Sequence, residues 1–411
     1  MANKTALGKT SNSPLGLSQF SQQIQGSPTL ALTTLVTELR RQGRQIIDLG
    51  AGEPDFPTPS AVCQAGVAAI NDGFTKYTPN AGTYDLREAI ANQANASGGN
   101  YSPENVLVCN GAKHAIYNAL LTVCDPGDEV IIPSPYWTSY PEQVKLARAK
   151  PVLLEGKEEN GFKITADALE DAISEKTKLL ILNSPNNPTG TVYTKTELDE
   201  IVTVIAKKNI YVLSDEIYSL LVFNDVETTS LAAFPAISDQ LLLVNGLSKS
   251  HAMTGWRIGY LVARKEIVKA AAKMQSHATS NISSITQAAG LEALRKTLPE
   301  LNDMKNEFDQ RRKYVVGRVQ NLNGFELPKP PEGAFYVFPN VKSVLGGSVS
   351  GTKIASPSDL AAFFLESANV ATVPGEAFGS NEHIRISYTN SMENLEQGLN
   401  KIAESLESIE Q

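Results

Sequence analysis

Lys249 stands in Ser248-Lys249-Ser250, a small-residue turn that follows the apolar, branched run Leu241 to Val244. An amine fixed at the end of a buried strand, in a tight and partly dry site, can lose its proton and attack a carbonyl, which suits Schiff-base chemistry. Arg257 comes eight positions later, and its rigid guanidinium fork suits a phosphate. Gly111-Ala112-Lys113 follows the run Asn105 to Cys109 and opens a helical pattern carrying Ile116, Leu120 and Val123. Free backbone N–H groups and the helix dipole can hold an anion at such a start. Ser134-Pro135-Tyr136-Trp137 presents an aromatic ring, able to stack on a flat ligand, after the run Glu129 to Ile132. Asn183 to Gly190, which contains Asn187, is a turn fixed by its prolines and glycine. Ser214-Asp215-Glu216-Ile217-Tyr218 closes another apolar run, and Arg385 lies within the alternating stretch His383 to Tyr388. A cation buried in a strand is costly unless an anion meets it.

Each of these stretches has a plainer explanation. Lys249 alone would be a surface lysine, Trp137 a core plug, Asp215 a helix N-cap and Asn187 an ordinary turn residue. Lys113 could be a solvated residue in a first helical turn, although a cation is disfavoured there. Arg385 could pair with Glu382. Two apparent motifs fail on inspection. Gly50 and Gly52 open like a dinucleotide fingerprint, but the third glycine is missing and Pro54 interrupts any helix start. Gly346 to Gly351 does not fit a GxSxG elbow.

The elements that must position these residues are legible as a pattern. Short apolar runs at Asn105–Cys109, Glu129–Ile132, Lys178–Asn183, Ile210–Ser214, Leu241–Val244 and Ile258–Val262 alternate with helical stretches. That alternation predicts an α/β domain with a mostly parallel sheet between helices, and ligands in such sheets sit beyond the carboxyl ends of the strands. After Leu301 the pattern changes. Leu301, Met304, Phe308, Val315, Val319 and Leu322 follow helical spacing, as do Leu395, Leu399, Ile402, Leu406 and Ile409. Strand candidates at Phe335–Phe338, Val370–Val373 and Ile384–Tyr388 lie between them. The expected division is an N-terminal arm with part of a small domain at 1–60, a large domain at 61–296, and an interdomain helix with the rest of a smaller α+β domain at 297–411. A helix is expected over Leu30–Arg41, and residues Met1 to Ser27 are expected to be a flexible arm rather than a targeting segment.

Composition excludes several classes. The 411 residues carry a net charge of -8 and no dense basic cluster, which argues against a nucleic-acid surface. A hydrophobic content of 42% contains no run long enough to span a membrane. Cys63, Cys109 and Cys124 form no CxxC pair, so reduced thiols in a cytoplasmic setting are expected. His114, His251, His277 and His383 lack ligand spacing, and no metal site is expected.

Seven blocks, in order and covering nearly the whole chain after residue 40, together resemble the class I pyridoxal-phosphate aminotransferases of fold type I. Within them the resemblance is nearest to aspartate aminotransferases of the subgroup with a lysine at 113. It implies a large domain built on a mostly parallel seven-stranded sheet. Lys249 would bind the pyridoxal 5'-phosphate aldehyde and shuttle the proton, while Gly111, Ala112 and Arg257 hold the phosphate. Trp137 would cover the ring, Asp215 would pair with its nitrogen, and Asn187 and Tyr218 would bond its hydroxyl. Tyr77, in Lys76-Tyr77-Thr78-Pro79, would cross to the partner site of a homodimer. On the substrate side, Gly52, Trp137 and Asn187 would line the pocket, Arg385 would bind the α-carboxylate and Lys113 the distal one. The implied reaction moves the amino group of aspartate to 2-oxoglutarate. A prephenate or aromatic aminotransferase is the alternative, disfavoured because no Lys or Arg lies between Lys9 and Arg40. A catalytically silent cofactor-binding sensor is the non-enzyme alternative. The partners implied are amino acids and 2-oxo acids.

Overall fold

The computed structural model describes residues 16–410, so the earlier part of the expected N-terminal arm, with Lys4 and Lys9, lies outside the described residues. The first strand is β1 (Ile47–Asp48), followed by β2 (Val106–Cys109), β3 (Glu129–Ser134), β4 (Lys150–Glu155) and β5 (Thr177–Asn183). Then come β6 (Tyr211–Asp215), β7 (Leu241–Gly246) and β8 (Gly259–Val262). From β2 to β8 they form one seven-stranded sheet in the order β2-β8-β7-β6-β5-β3-β4. Every pairing from β7 to β4 is parallel, and β8 runs antiparallel to both of its neighbours. The sheet is therefore mixed and mostly parallel. Both faces are covered: Val106, Val108, Leu180 and Leu243 point into one core, and Leu107, Leu179, Ile181 and Leu242 into another. Strands buried on two sides read as continuous apolar runs, which is why six of the seven were visible in the sequence. The missed strand, β4, lies at the sheet edge, carries Pro151 and leaves Leu153 52% exposed.

The rest of the chain builds a second core. Here β9 (Tyr336–Val337), β13 (Val373–Pro374) and β14 (Ile384–Ser387) form an antiparallel sheet, β10 (Ser348–Val349) pairs with β11 (Thr352–Lys353), and β12 (Val370–Ala371) pairs with β1. Through that last pairing the N-terminal segment joins the C-terminal part of the molecule. The helix Pro299–Val319 buries Met304, Phe308, Val315 and Val319, and the helix Met392–Leu406 buries Leu395, Leu399, Ile402 and Leu406. These are the expected apolar stripes, each full burial contributing about 1.5–3 kcal/mol. Leu322 and Ile409 fall beyond the helix ends. Ile217, Tyr218, Leu221 and Phe223, from the loop after β6, pack into this second core and so tie the two parts together.

Near the N-terminus, Pro28–Arg41 is helical, its first turn capped by the Ser27 hydroxyl. Before it, Gln19–Gln23 forms one exposed helical turn, and the Gln25 N–H donates to Glu142 at 2.8 Å, so part of the expected free arm is docked. Among the described residues, no helix is long and apolar enough to cross a membrane.

Candidate active site

The carboxyl ends of β2, β3, β5, β6 and β7 meet at one sheet edge, and antiparallel β8 starts from it. At the end of β2, Gly111 adopts φ 82° and ψ 164°, a conformation that suits glycine, and the helix Ala112–Val123 begins immediately after it. A Cβ on Gly111 would lie 2.5 Å from Arg257 Nη2, and one on Gly259 would lie 2.2 Å from the Ala112 nitrogen. Backbone and guanidinium are thus packed around a helix start whose first N–H groups have no intrahelical acceptor. Arg257 itself is in the left-handed region at φ 57°. Its Nη1 donates to the Thr254 carbonyl at 2.9 Å and its Nη2 to the Asn110 carbonyl at 3.3 Å, and among the described residues no carboxylate pairs with it.

Asp215, at the end of β6, is 3% exposed. Burial pushes its carboxyl up to about 6, while a 2.7 Å bond from the Tyr140 hydroxyl, one from the Ile217 N–H and the charge of Lys249 oppose that rise. It is no N-cap, because no α-helix starts there. Trp137 packs edge-on against Tyr140, with ring centroids 5.3 Å apart, and the Lys113 ammonium lies 4.8 Å over the Trp137 ring. Burial, then the charge of Arg257, lowers the Lys113 pKa. The turn after β5 is held by Asn183, whose Oδ1 accepts from the Asn187 N–H at 3.0 Å.

Lys249 lies in the loop after β7, and its Nζ donates to the Gly52 carbonyl at 2.5 Å. Burial lowers its pKa to about 8, and the charges of Arg385, Arg257 and Lys113 push the same way against Glu53. Three cations therefore act on this one amine. The Arg385 guanidinium, 2% exposed, donates to Asn187 Oδ1 at 3.0 Å and to the Gly50 carbonyl at 2.7 Å, and stacks on Tyr336 at 4.3 Å. Its Nε has no partner. Glu382, the plain alternative for Arg385, pairs with Lys342 at 2.8 Å instead.

Of the residues singled out in the sequence, Gly52, Gly111, Ala112, Lys113, Trp137, Asn187, Asp215, Tyr218, Lys249, Arg257 and Arg385 are brought to this region through the bonds, close approaches and charges just described. Tyr218 joins through its hydroxyl, 2.9 Å from that of Tyr336. Tyr77 does not join them. It is 91% exposed on its own loop. Sequence reading missed Tyr140 and Tyr336. Tyr140 follows Trp137 by three positions at a helix start, the spacing that puts two side chains on one face. Tyr336 opposes Ser387 across β9 and β14, which puts it on the face of Arg385 two residues away, but that register was not legible from spacing.

A mixed α/β sheet with a pKa-depressed lysine, a buried carboxylate and uncompensated cations at one edge defines a pyridoxal-phosphate aminotransferase of fold type I. The chain belongs to that group: residues 44–402 match the family model "Aminotransferase class I and II". It is 44% identical to an aspartate aminotransferase of Streptomyces avermitilis over 93% of this chain and 94% of that protein. It is 42% identical to a bifunctional aspartate aminotransferase and glutamate/aspartate-prephenate aminotransferase of Petunia hybrida, covering 96% of this chain and 84% of that one. A solved structure, aspartate aminotransferase from Thermus thermophilus with maleate, superposes with a TM-score of 0.90 at 38% identity, over 95% of this chain and all of that one.

Proposed function

We propose that this transaminase takes the amino group of aspartate and passes it to 2-oxoglutarate. The observation that carries the reading is the placement of Lys249 among Arg385, Arg257 and Lys113, none of which has a carboxylate partner among the described residues. One phosphate and two carboxylates would supply the missing anions.

The residues fit pyridoxal 5'-phosphate on the observation that the cradle at Gly111 has no room for a Cβ beside Arg257. Gly111, Ala112 and Arg257 would hold the phosphate, Trp137 the ring face, Asp215 the ring nitrogen, and Asn187 and Tyr218 the ring hydroxyl. When bound, the cofactor supplies an electron sink that makes the substrate α-proton removable. Arg385 binds the substrate α-carboxylate, with its guanidinium already aimed by Asn187 and the Gly50 carbonyl. Lys113 meets the distal carboxylate at the mouth, and Gly52 and Trp137 border the space between. Lys249 Nζ takes the proton from the substrate α-carbon and returns it at the acceptor carbon. With a pKa near 8, roughly a quarter of the amine is unprotonated at pH 7.5, against about a thousandth for an ordinary lysine. An amine in that state is a competent base.

The same proposal includes a homodimer in which Tyr77 reaches the partner's site. Its support is the exposure of Tyr77 at 91%, and Val67, Ile70, Phe74 and Tyr84 from the same stretch of sequence are also exposed. It also includes the division at residues 60 and 296 and a cytoplasmic location, which suits three free cysteines. A second reading, prephenate or aromatic substrates beside aspartate, is favoured by the printed function of the Petunia hybrida relative. A panel of amino donors with 2-oxoglutarate as acceptor tests both: aspartate should give the highest kcat/KM, and a higher value for an aromatic donor would replace this reading.

A further inference from the structure

Tyr336 touches three residues of the site that lie on different elements, Tyr218, Arg385 and Gly52. Its hydroxyl is 2.9 Å from that of Tyr218, its ring carries the Arg385 guanidinium at 4.3 Å, and a Cβ on Gly52 would come within 3.1 Å of its Oη. Gly52 in turn accepts the hydrogen bond of Lys249. Tyr336 belongs to β9 in the second core, whereas Tyr218 follows β6 of the large sheet. We propose that Tyr336 is a positioning residue: its hydroxyl donates to the Tyr218 oxygen and so commits the Tyr218 proton to the cofactor ring hydroxyl, while its ring seats the arginine that reads the substrate carboxylate. This rests on the reading of Tyr218 given above.

The burial of the pair is what makes such an assignment necessary. Tyr218 is 3% exposed and Tyr336 1%, so each hydroxyl has the other as its nearest side-chain partner. Burial raises both phenols above their ordinary range, so each oxygen keeps its proton through the working pH. Two protons and two oxygens at 2.9 Å leave one proton between them and one free to point elsewhere. A Tyr336 hydroxyl that donates forces the Tyr218 proton outward, and donation to a hydroxyl strengthens that hydroxyl as a donor in turn. Because the same ring carries Arg385, a shift of the second core against the sheet would disturb the carboxylate reader and the Tyr218 proton at once.

The test is a pH titration of the visible absorbance of the cofactor-loaded enzyme, on wild type, Tyr218→Phe, Tyr336→Phe and the double variant. Tyr336→Phe keeps the ring beneath Arg385 and removes only the hydroxyl. Tyr218→Phe should raise the midpoint of the titration, since a donor to the ring oxygen favours its anion. Tyr336→Phe should raise it by a smaller amount, roughly half a pH unit, and should add nothing in the Tyr218→Phe background. In the same preparations, KM for a donor amino acid should change less than twofold in Tyr336→Phe and rise about tenfold or more in Tyr336→Leu, which loses the stack. No shift in Tyr218→Phe overturns the Tyr218 reading itself. A shift in Tyr218→Phe with none in Tyr336→Phe, or additive shifts in the double variant, overturns the role of Tyr336.

Discussion

Arg385 and Lys113 both depress the pKa of Lys249, but they do so from opposite surroundings. Arg385 is held in the second core by Asn187, the Gly50 carbonyl and stacking on Tyr336 and Phe378. Lys113 lies in the first turn of a helix as an exposed residue whose ammonium is partly shielded over the Trp137 ring. A buried charge without a carboxylate partner costs several kcal/mol, which an arriving carboxylate can return, whereas a partly shielded ammonium costs less to hold and is better screened. The difference teaches a division of labour. A buried, fixed cation can serve a group common to every amino acid, and a solvated one can select among those that share it at lower gain.

The most severe way to break this picture is to remove the amine between the two cations. Lys249→Ala should abolish the covalent cofactor species and lower activity by several orders of magnitude in a protein that still folds, as absorbance and circular dichroism would show. Borohydride reduction and peptide mapping should then label Lys249 alone in the wild type. A label on another lysine would remove the centre around which the two cations are being compared.

Arg385→Ala should cost about 2–5 kcal/mol of transition-state binding, equally for aspartate and for phenylalanine. Steady-state kinetics on the two donors decide it: sparing either one would contradict a shared carboxylate site. Lys113→Ala should lower kcat/KM for aspartate by roughly one to two orders of magnitude and leave alanine and phenylalanine nearly unchanged. The aspartate advantage of the wild type should also shrink as salt is raised, because the contact faces solvent. Equal losses for all donors would mean that Lys113 supports the phosphate end instead, and an aromatic preference would then move ahead.

The smallest effect is a shift in a pH profile. Capture of the cofactor by the apoenzyme, followed by stopped-flow absorbance, should accelerate as pH rises and level off above about 8, where Lys249 has lost its proton. The lowered pKa means the neutral amine already dominates above that value, and an ordinary lysine would keep accelerating to about 10.4. Removing either cation should move the midpoint upward, and Arg385→Ala should move it further than Lys113→Ala because the buried charge is less screened. The reverse order would contradict the contrast in burial.

Much of this arrangement was legible in the sequence because it lies where short apolar runs end. Asp215, Asn187 and Lys249 follow runs that became central strands, and Gly111 precedes a strongly periodic helix. What escaped depended on pairing across long separations. Arg385 was as compatible with Glu382 as with a ligand until Lys342 was seen to take that carboxylate. Tyr140 and Tyr336 look like ordinary core aromatics, and only the distance to Asp215 and Tyr218 distinguishes them. The edge strand β4 was lost because half of it faces outward and mixes polar residues into the run. Tyr77 lies on a loop whose partner, by the reading offered here, is another chain, so nothing in one chain could display its role.

The reversed direction of β8 has a consequence for chain length. A parallel return from β7 would need a crossover of a dozen or more residues and would deliver the chain at the opposite sheet edge. Because β7 and β8 pair antiparallel, with Gly246 opposite Gly259, Lys249 and Arg257 both fall within the single loop that joins them. Its ends are pinned by the ladder, and at the β8 end Gly259 packs against the Ala112 nitrogen. Substitutions of similar size can be absorbed there. An insertion or deletion of one residue between Lys249 and Arg257 would slide the amine against the guanidinium, because both are carried on this one loop.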